Sequence, residues 1–188
     1  MSTVDVSHDV FRQLPVLTGD RVRLEPLAPS HLDGMMRMLS DPEARRLTGT
    51  HRTFDEDEVR DHLAALPLRG DRAHWAITDD GAFLGEAVLH ELDPPNASVQ
   101  FRICLVGPEV FGRGYGTEAT RAVVDYAFDV AGLHRVGLEV FDFNVRAQRS
   151  YEKCGFVREG VHRGALWWNG IWHDVIAMGI IASDPRPA

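Results

Sequence analysis

The sequence is poor in cysteine, nearly devoid of lysine, and has no long apolar run. Two thiols, Cys104 and Cys154, stand in 188 residues, too few for the disulfide framework of small secreted domains. Lys153 is the only lysine among twenty Lys and Arg. No apolar stretch nears the roughly 18 residues of a membrane span, and the first eleven residues hold no apolar signal core. These absences lead us to expect a soluble, cytoplasmic protein that neither enters a membrane nor depends on disulfides. Basic residues are also short: 20 against 28 acidic ones, a formal net charge of −8. Broad nucleic-acid binding needs a cationic surface and is not expected, while a cationic substrate is mildly favoured. Hydrophobic residues make up 44% of the chain, enough for a chain this long to bury a core without staples.

No internal repeat or low-complexity linker divides the chain. It reads as one domain over residues 16–182, with a loose lead-in at 1–15 and a flexible tail at 183–188 carrying Pro185 and Pro187. Residues 21–25 alternate as a strand ended by Pro26. Ser30 with Asp33, and Thr53 with Glu56, predict the starts of two short helices joined by an irregular link. Residues 74–78 and 82–89, split by Asp79-Asp80-Gly81, predict a hairpin. After the break Asp93-Pro94-Pro95-Asn96, residues 99–105 alternate again and extend it to an antiparallel meander. A helical stripe of Ala119, Val123, Tyr126, Ala127 and Val130 then stops at Gly132. A strand at 136–140, a short helix capped by Asn144 and ended by Gly155, and a hairpin turning at Asn169-Gly170 complete the chain. The fold class is α+β: a single domain with a mixed, mostly antiparallel sheet of about seven strands flanked by about four helices.

Phe111-Gly112-Arg113-Gly114-Tyr115-Gly116-Thr117 lies between a predicted strand and a predicted helix. Three glycines in five residues leave backbone N–H groups bare at a helix start, where the helix dipole and Arg113 add positive charge. That suits a phosphate or pyrophosphate. A tight turn needing positive φ is the plainer reading of one glycine, less so of this cluster. No Lys-Ser or Lys-Thr follows, which excludes the nucleoside-triphosphate loop. Gly114 to Ala119 also fits the dinucleotide pattern G-x-G-x-x-A, with Asp142 as a ribose-binding acid. An antiparallel meander before it and little chain after it argue against a parallel βαβ array.

The order of meander, glycine cluster, long helix, strand, Asn144 and Tyr151-Glu152-Lys153-Cys154-Gly155-Phe156 resembles the Gcn5-related N-acetyltransferase family. Within that family it resembles the RimJ/RimL-like branch of ribosomal-protein and spermidine acetyltransferases. The resemblance runs from about residue 21 to about residue 180. It implies acetyl-CoA as cosubstrate, no metal, and an amine acceptor that is a small molecule or a protein N-terminus. It puts the pyrophosphate on Gly112, Arg113, Gly114, Tyr115, Gly116 and Thr117, with Phe111 beside them among the cofactor-binding residues. It lays the pantetheine arm along Ile103, Cys104 and Leu105, where a backbone N–H would hold the oxyanion. Asn144, Ala147 and Tyr151 share one helix face, because seven steps of about 100° return to within about 20°. On the resemblance, Tyr151 protonates the departing CoA thiolate. Two positions depart from the family. Phe111 stands where Arg or Gln is common, although this branch often has an aromatic there. Gln100 stands where related enzymes carry Glu, and an amide cannot take a proton as a base.

Glu86, His90 and Glu139 are candidate bases in place of Gln100; Glu86 and His90 share a strand face by alternation. Each also fits a surface or packing role. Nine histidines occur without the spacing of a metal site. Cys154 has no base near it in sequence and fits a buried thiol. Trp167, Trp168 and Trp172 crowd one hairpin, and alternation turns one of the first two outward, suggesting a homodimer surface. Two function classes follow: an N-acyltransferase using acetyl-CoA or a longer donor such as succinyl-CoA, or a non-catalytic CoA-binding module of the same fold.

Overall fold

The computed structural model describes residues 6–187. Its strands are β1 (Leu17–Thr18), β2 (Arg23–Pro26), β3 (Ala73–Asp79), β4 (Ala82–Asp93), β5 (Ser98–Leu105), β6 (Arg135–Phe141), β7 (Val157–Trp168) and β8 (Ile171–Ile181). Its helices are α1 (Leu32–Ser40), α2 (Pro42–Thr48), α3 (Glu56–Ala65), α4 (Tyr115–Asp125) and α5 (Val145–Lys153). The strands form one sheet in the order β1-β2-β3-β4-β5-β6-β8-β7. Every neighbouring pair is antiparallel except β5–β6, which is parallel. The parallel pair is the crossover made by α4.

The mixed, mostly antiparallel sheet is as expected, with one more strand and one more helix. β1 is two residues long, too short to leave an alternation pattern. Helix α2 fills the stretch read as an irregular link. Its signal is Asp41, whose side chain accepts the N–H of Ala44 at 2.7 Å, followed by Pro42 in the first helical turn. The caps also move. Asp55, not Thr53, starts α3 by accepting the Glu58 N–H at 2.7 Å. His31, at the end of a 3-10 turn, precedes α1 in place of Ser30.

The chain ends are fastened where loose segments were expected. Val6 and Phe11 are buried in the core, and Trp75 Nε1 donates to the Pro15 carbonyl at 3.0 Å. At the other end, Arg186 donates to Asp125 and Asp129, each at 2.8 Å. Single anchoring residues carry no periodicity, so neither anchor shows in the pattern. Residues 1–5 and 188 lie outside the described residues.

Helices α1–α3 cover one face of the sheet, and α4 and α5 cover the other. On the first face the His62 ring of α3 meets His74 at 6.0 Å. On the second, Trp75 is fully buried and meets Tyr126 edge-on at 5.2 Å. Among the described residues no helix is long and apolar enough to cross a membrane.

The functional feature of the sheet is where its pairing stops. β5 pairs with β4 as far as Leu105↔Gly85, but with β6 only as far as Gln100↔Gly137. β6 meanwhile continues along β8 to Phe141↔Val175. Beyond Gln100 and Gly137 the two strands therefore part, each presenting an unpaired backbone edge to the gap. Gly137 makes room at the fork, since a Cβ there would lie 2.9 Å from the Gln100 amide.

Candidate active site

The parted strands open a cleft of about 840 Å³. One wall is β5 with α2 beside it; the other is the end of β6 with α5. The loop before α4 closes one end.

At that end, Gly112 and Gly114 adopt left-handed φ of 72° and 90°, so the turn does require glycine at both. Gly114 is the N-cap of α4, and no side chain caps the helix. Glu118 N–H is the first to find a helical acceptor, the Gly114 carbonyl at 3.0 Å. Among the described residues no acceptor takes the N–H groups of Tyr115, Gly116 and Thr117, which face the cleft end with the helix dipole behind them. Gly116 answers to neither φ nor crowding: a Cβ there would meet only Leu105 Cδ1, at 3.6 Å. The Tyr115 hydroxyl donates to Asp79 at 2.7 Å, so its ring is tied to the β3 end. Arg113, between Gly112 and Gly114, is exposed and does not line the cleft. Helix α5 brings further positive charge, since Arg146, Arg149 and Lys153 all line the cleft. Their spacing of three and four residues puts them on one side of the helix, a signal present in the sequence itself. Arg146 stacks over Phe111 at 3.9 Å from the ring centroid, which gives the aromatic at that position a job: it holds a guanidinium at the cleft mouth.

Midway along the cleft lie Ile103, Cys104 and Leu105 of β5, and Asn144, Ala147 and Tyr151 on one face of α5. Asn144 caps α5 by accepting the Ala147 N–H at 3.2 Å. Thr117 and Ser150 share a hydrogen bond of 2.7 Å that locks α4 to α5. Tyr151 is buried against Phe101 and Phe156, at 6.4 and 5.9 Å between ring centroids. Burial raises its pKa above the usual phenol range. Among the described residues no partner takes its hydroxyl. Burial also pushes the Cys104 thiol up to about 12 and the Cys154 thiol to about 11, so both remain protonated near neutral pH.

At the fork, Gln100 sits directly across from His90 in the β4–β5 register, and both line the cleft. A β-bulge follows His90. In it Glu91 takes a left-handed φ of 54°, a strained conformation for a residue with a side chain. The bulge sets the Glu91 carboxylate 3.4 Å from His90 Nδ1. Burial lowers the His90 pKa below the usual imidazole value.

Glu86 is not a base for this cleft. It is 4% exposed, and both its oxygens are committed: one to His74 Nε2 at 2.6 Å, the other to an Arg102 Nη at 2.9 Å. Burial alone would raise its pKa, but the charges of His74 and Arg102 outweigh it and hold the carboxyl down at about 2. A carboxyl held below its ordinary value of 4.5 binds fewer protons folded than unfolded. Its contribution to stability is present above about pH 4.5 and is lost as pH falls toward 2. Breaking a buried pair of this kind costs about 3–5 kcal/mol. We therefore expect Glu86→Gln to lower the melting temperature by about 6–20 °C at pH 7, with the gap to the natural protein shrinking steadily below pH 4.5. A gap that does not change with pH, measured by scanning calorimetry, would show that the loss is one of packing.

An extended, unpaired strand edge thus leads along the cleft to a bare helix start. Residues 21–157 match the family described as acetyltransferase (GNAT) domain, and the chain belongs to that family. It is an acyl-CoA-dependent N-acetyltransferase. The uncharacterized N-acetyltransferase YoaA of Bacillus subtilis is 26% identical over 172 residues, covering 89% of this chain and 97% of that protein. Spermidine N(1)-acetyltransferase of Vibrio cholerae is 34% identical over 100 residues, covering 53% of this chain and 57% of that protein. A crystal structure of the Vibrio cholerae spermidine N-acetyltransferase in complex with CoA and spermine superposes with a TM-score of 0.81 at 24% identity, over 87% of this chain and 96% of that one; that likeness shows the fold.

Proposed function

We propose that this chain transfers the acetyl group of acetyl-CoA to a primary amine by direct attack in a ternary complex. The observation that carries the reading is the free edge of β5 leading to the bare N–H groups of α4. An extended pantetheine arm can pair with the one while the pyrophosphate takes the other. Arg146, Arg149 and Lys153 supply the remaining charge for phosphates. A ternary complex, rather than an acyl-enzyme, is supported by the two protonated thiols.

An alkyl amine with a pKa near 10.4 is mostly charged at neutral pH and must lose a proton before attack. Gln100 cannot receive it. His90, directly opposite and neutral because burial disfavours its charged form, is the base we assign, reached through a water molecule. The amine nitrogen then bonds to the thioester carbonyl carbon, and the developing oxyanion is held by the N–H of Cys104 or Leu105. The carbon–sulfur bond breaks, and Tyr151 gives its proton to the sulfur. His90→Gln is expected to lower kcat by about 10²-fold or more and to flatten the acid limb of the rate profile. The natural protein should lose rate as pH falls through the lowered His90 pKa, because the imidazolium cannot accept a proton. An unchanged acid limb in the variant would move the base elsewhere.

The function itself is tested by following CoA release from acetyl-CoA and from succinyl-CoA against a panel of small amines and N-terminal peptides. Amine-dependent release from acetyl-CoA is expected. Release only from the longer donor, or from neither, would contradict it.

We also propose that the terminal hairpin pairs two copies. Trp167 and Trp172 meet at 5.0 Å with their ring planes tilted by 53° and stay 46% and 63% exposed, and β7 leaves its outer edge unpaired. Sedimentation at tens of micromolar should show a dimer; a monomer alone would refute it.

A further inference from the structure

Alternation along β5 puts Gln100, Arg102 and Cys104 on one face. Their register partners on β4 are His90, Val88 and Glu86. This face lies away from Tyr151, which packs on Phe101 on the opposite side. Arg102 is thus on the wall of the cleft that the acceptor, not the phenol, would meet.

The arginine has two environments at once. One Nη is fixed by the buried Glu86 at 2.9 Å, and Glu86 is itself held from behind by His74 at 2.6 Å. A buried carboxylate needs such partners. Arg102 is nevertheless 51% exposed and lines the cleft. Among the described residues no acceptor takes its other donors. A guanidinium has five N–H donors in a planar fork that matches a carboxylate with two parallel bonds. The clamp of Glu86 and His74 therefore holds the fork in place and leaves most of it turned to solvent in the cleft. Two carboxylates line the same cleft, Glu91 at the bulge and Glu139 on β6. The acceptor wall so carries both signs of charge: carboxylates that suit an ammonium, and one pinned guanidinium that suits an anion.

We infer that Arg102 receives a carboxylate of the acceptor, so that the amine acetylated here is an amino acid or a similar small zwitterion. This deepens the acetyltransferase reading above and rests on it. A polyamine is disfavoured, because its further ammonium groups would meet Arg102.

The test compares matched pairs that differ only in a carboxylate, tyrosine with tyramine and arginine with agmatine, together with spermidine. For the natural protein kcat/KM should favour the acid of each pair at least tenfold, mainly through KM. Arg102→Gln should cut the acid's kcat/KM at least tenfold and bring each pair to within about threefold. Arg102→Lys, which keeps the charge without the fork, should fall between. Should Arg102→Gln fail to fold, the comparison within pairs on the natural protein decides alone. Preference for tyramine, agmatine or spermidine would overturn the inference. So would an equal loss on acid and amine in folded Arg102→Gln, which marks packing alone. If no amine is turned over, calorimetric binding of the acids to the CoA-loaded protein replaces turnover, and its absence also overturns the inference. CoA binding, measured separately, bears on the acetyltransferase reading and not on Arg102.

Discussion

Gly114→Glu is expected to abolish CoA binding, raising Kd at least 100-fold. The helix start has three bare N–H groups, at Tyr115, Gly116 and Thr117, and no side-chain cap. A glutamate at the N-cap would put its carboxylate where the pyrophosphate belongs, giving the N–H groups an internal acceptor and repelling the ligand. The φ of 90° at Gly114 adds about 1–3 kcal/mol of backbone strain for any side chain, a fall of about 2–12 °C in melting temperature. Gly114→Ala separates the two effects, since it carries the strain without the charge. It should melt like the glutamate variant and still bind CoA, more weakly than the natural protein. Calorimetric titration with CoA checks both. Equal affinity in the glutamate variant would place the pyrophosphate elsewhere.

Tyr151→Phe should lower kcat by about 10²–10⁴ and leave the CoA Kd within about threefold. Only a hydroxyl is lost, and the ring keeps its contacts with Phe101 and Phe156. A free thiol has a pKa near 8.5, so the departing thiolate gains from protonation but does not depend on it entirely. Because burial raises the Tyr151 pKa, the phenol stays protonated through the neutral range. The deficit should then be constant across that range and add no limb of its own to the rate profile. Single-turnover measurement of CoA release distinguishes this from slowed product release. Undiminished turnover would mean that the thiolate leaves unaided.

The terminal hairpin was legible because its turn has a local cause. Asn169 and Gly170 take φ of 48° and 84°, which Asn-Gly tolerates better than other pairs. The glycine cluster was legible for the same reason, and Asn144, Ala147 and Tyr151 fall on one face by helical spacing alone. The parting of β5 from β6 has no such signature. It depends on where a ladder stops, and only Gly137 under the Gln100 amide hints at it. Glu86 and His74 are twelve residues apart, and only the strand register brings them together with Arg102. A strand pattern marks all three as half-buried positions and cannot say that one carboxylate is consumed by the other two. The strained bulge at Glu91 is likewise a matter of register. Helix α2 was legible in principle from Asp41-Pro42, but seven residues are too few for periodicity to outweigh a loop reading.

The most direct measurement is the crystal structure of the complex with CoA. The pyrophosphate is expected within hydrogen-bonding distance of the N–H groups of Tyr115, Gly116 and Thr117. The pantetheine arm should run antiparallel or parallel to the free edge of β5 at residues 101–105, with its sulfur beside the Tyr151 hydroxyl. CoA bound outside the gap between β5 and β6, or with its sulfur away from Tyr151, would contradict the account.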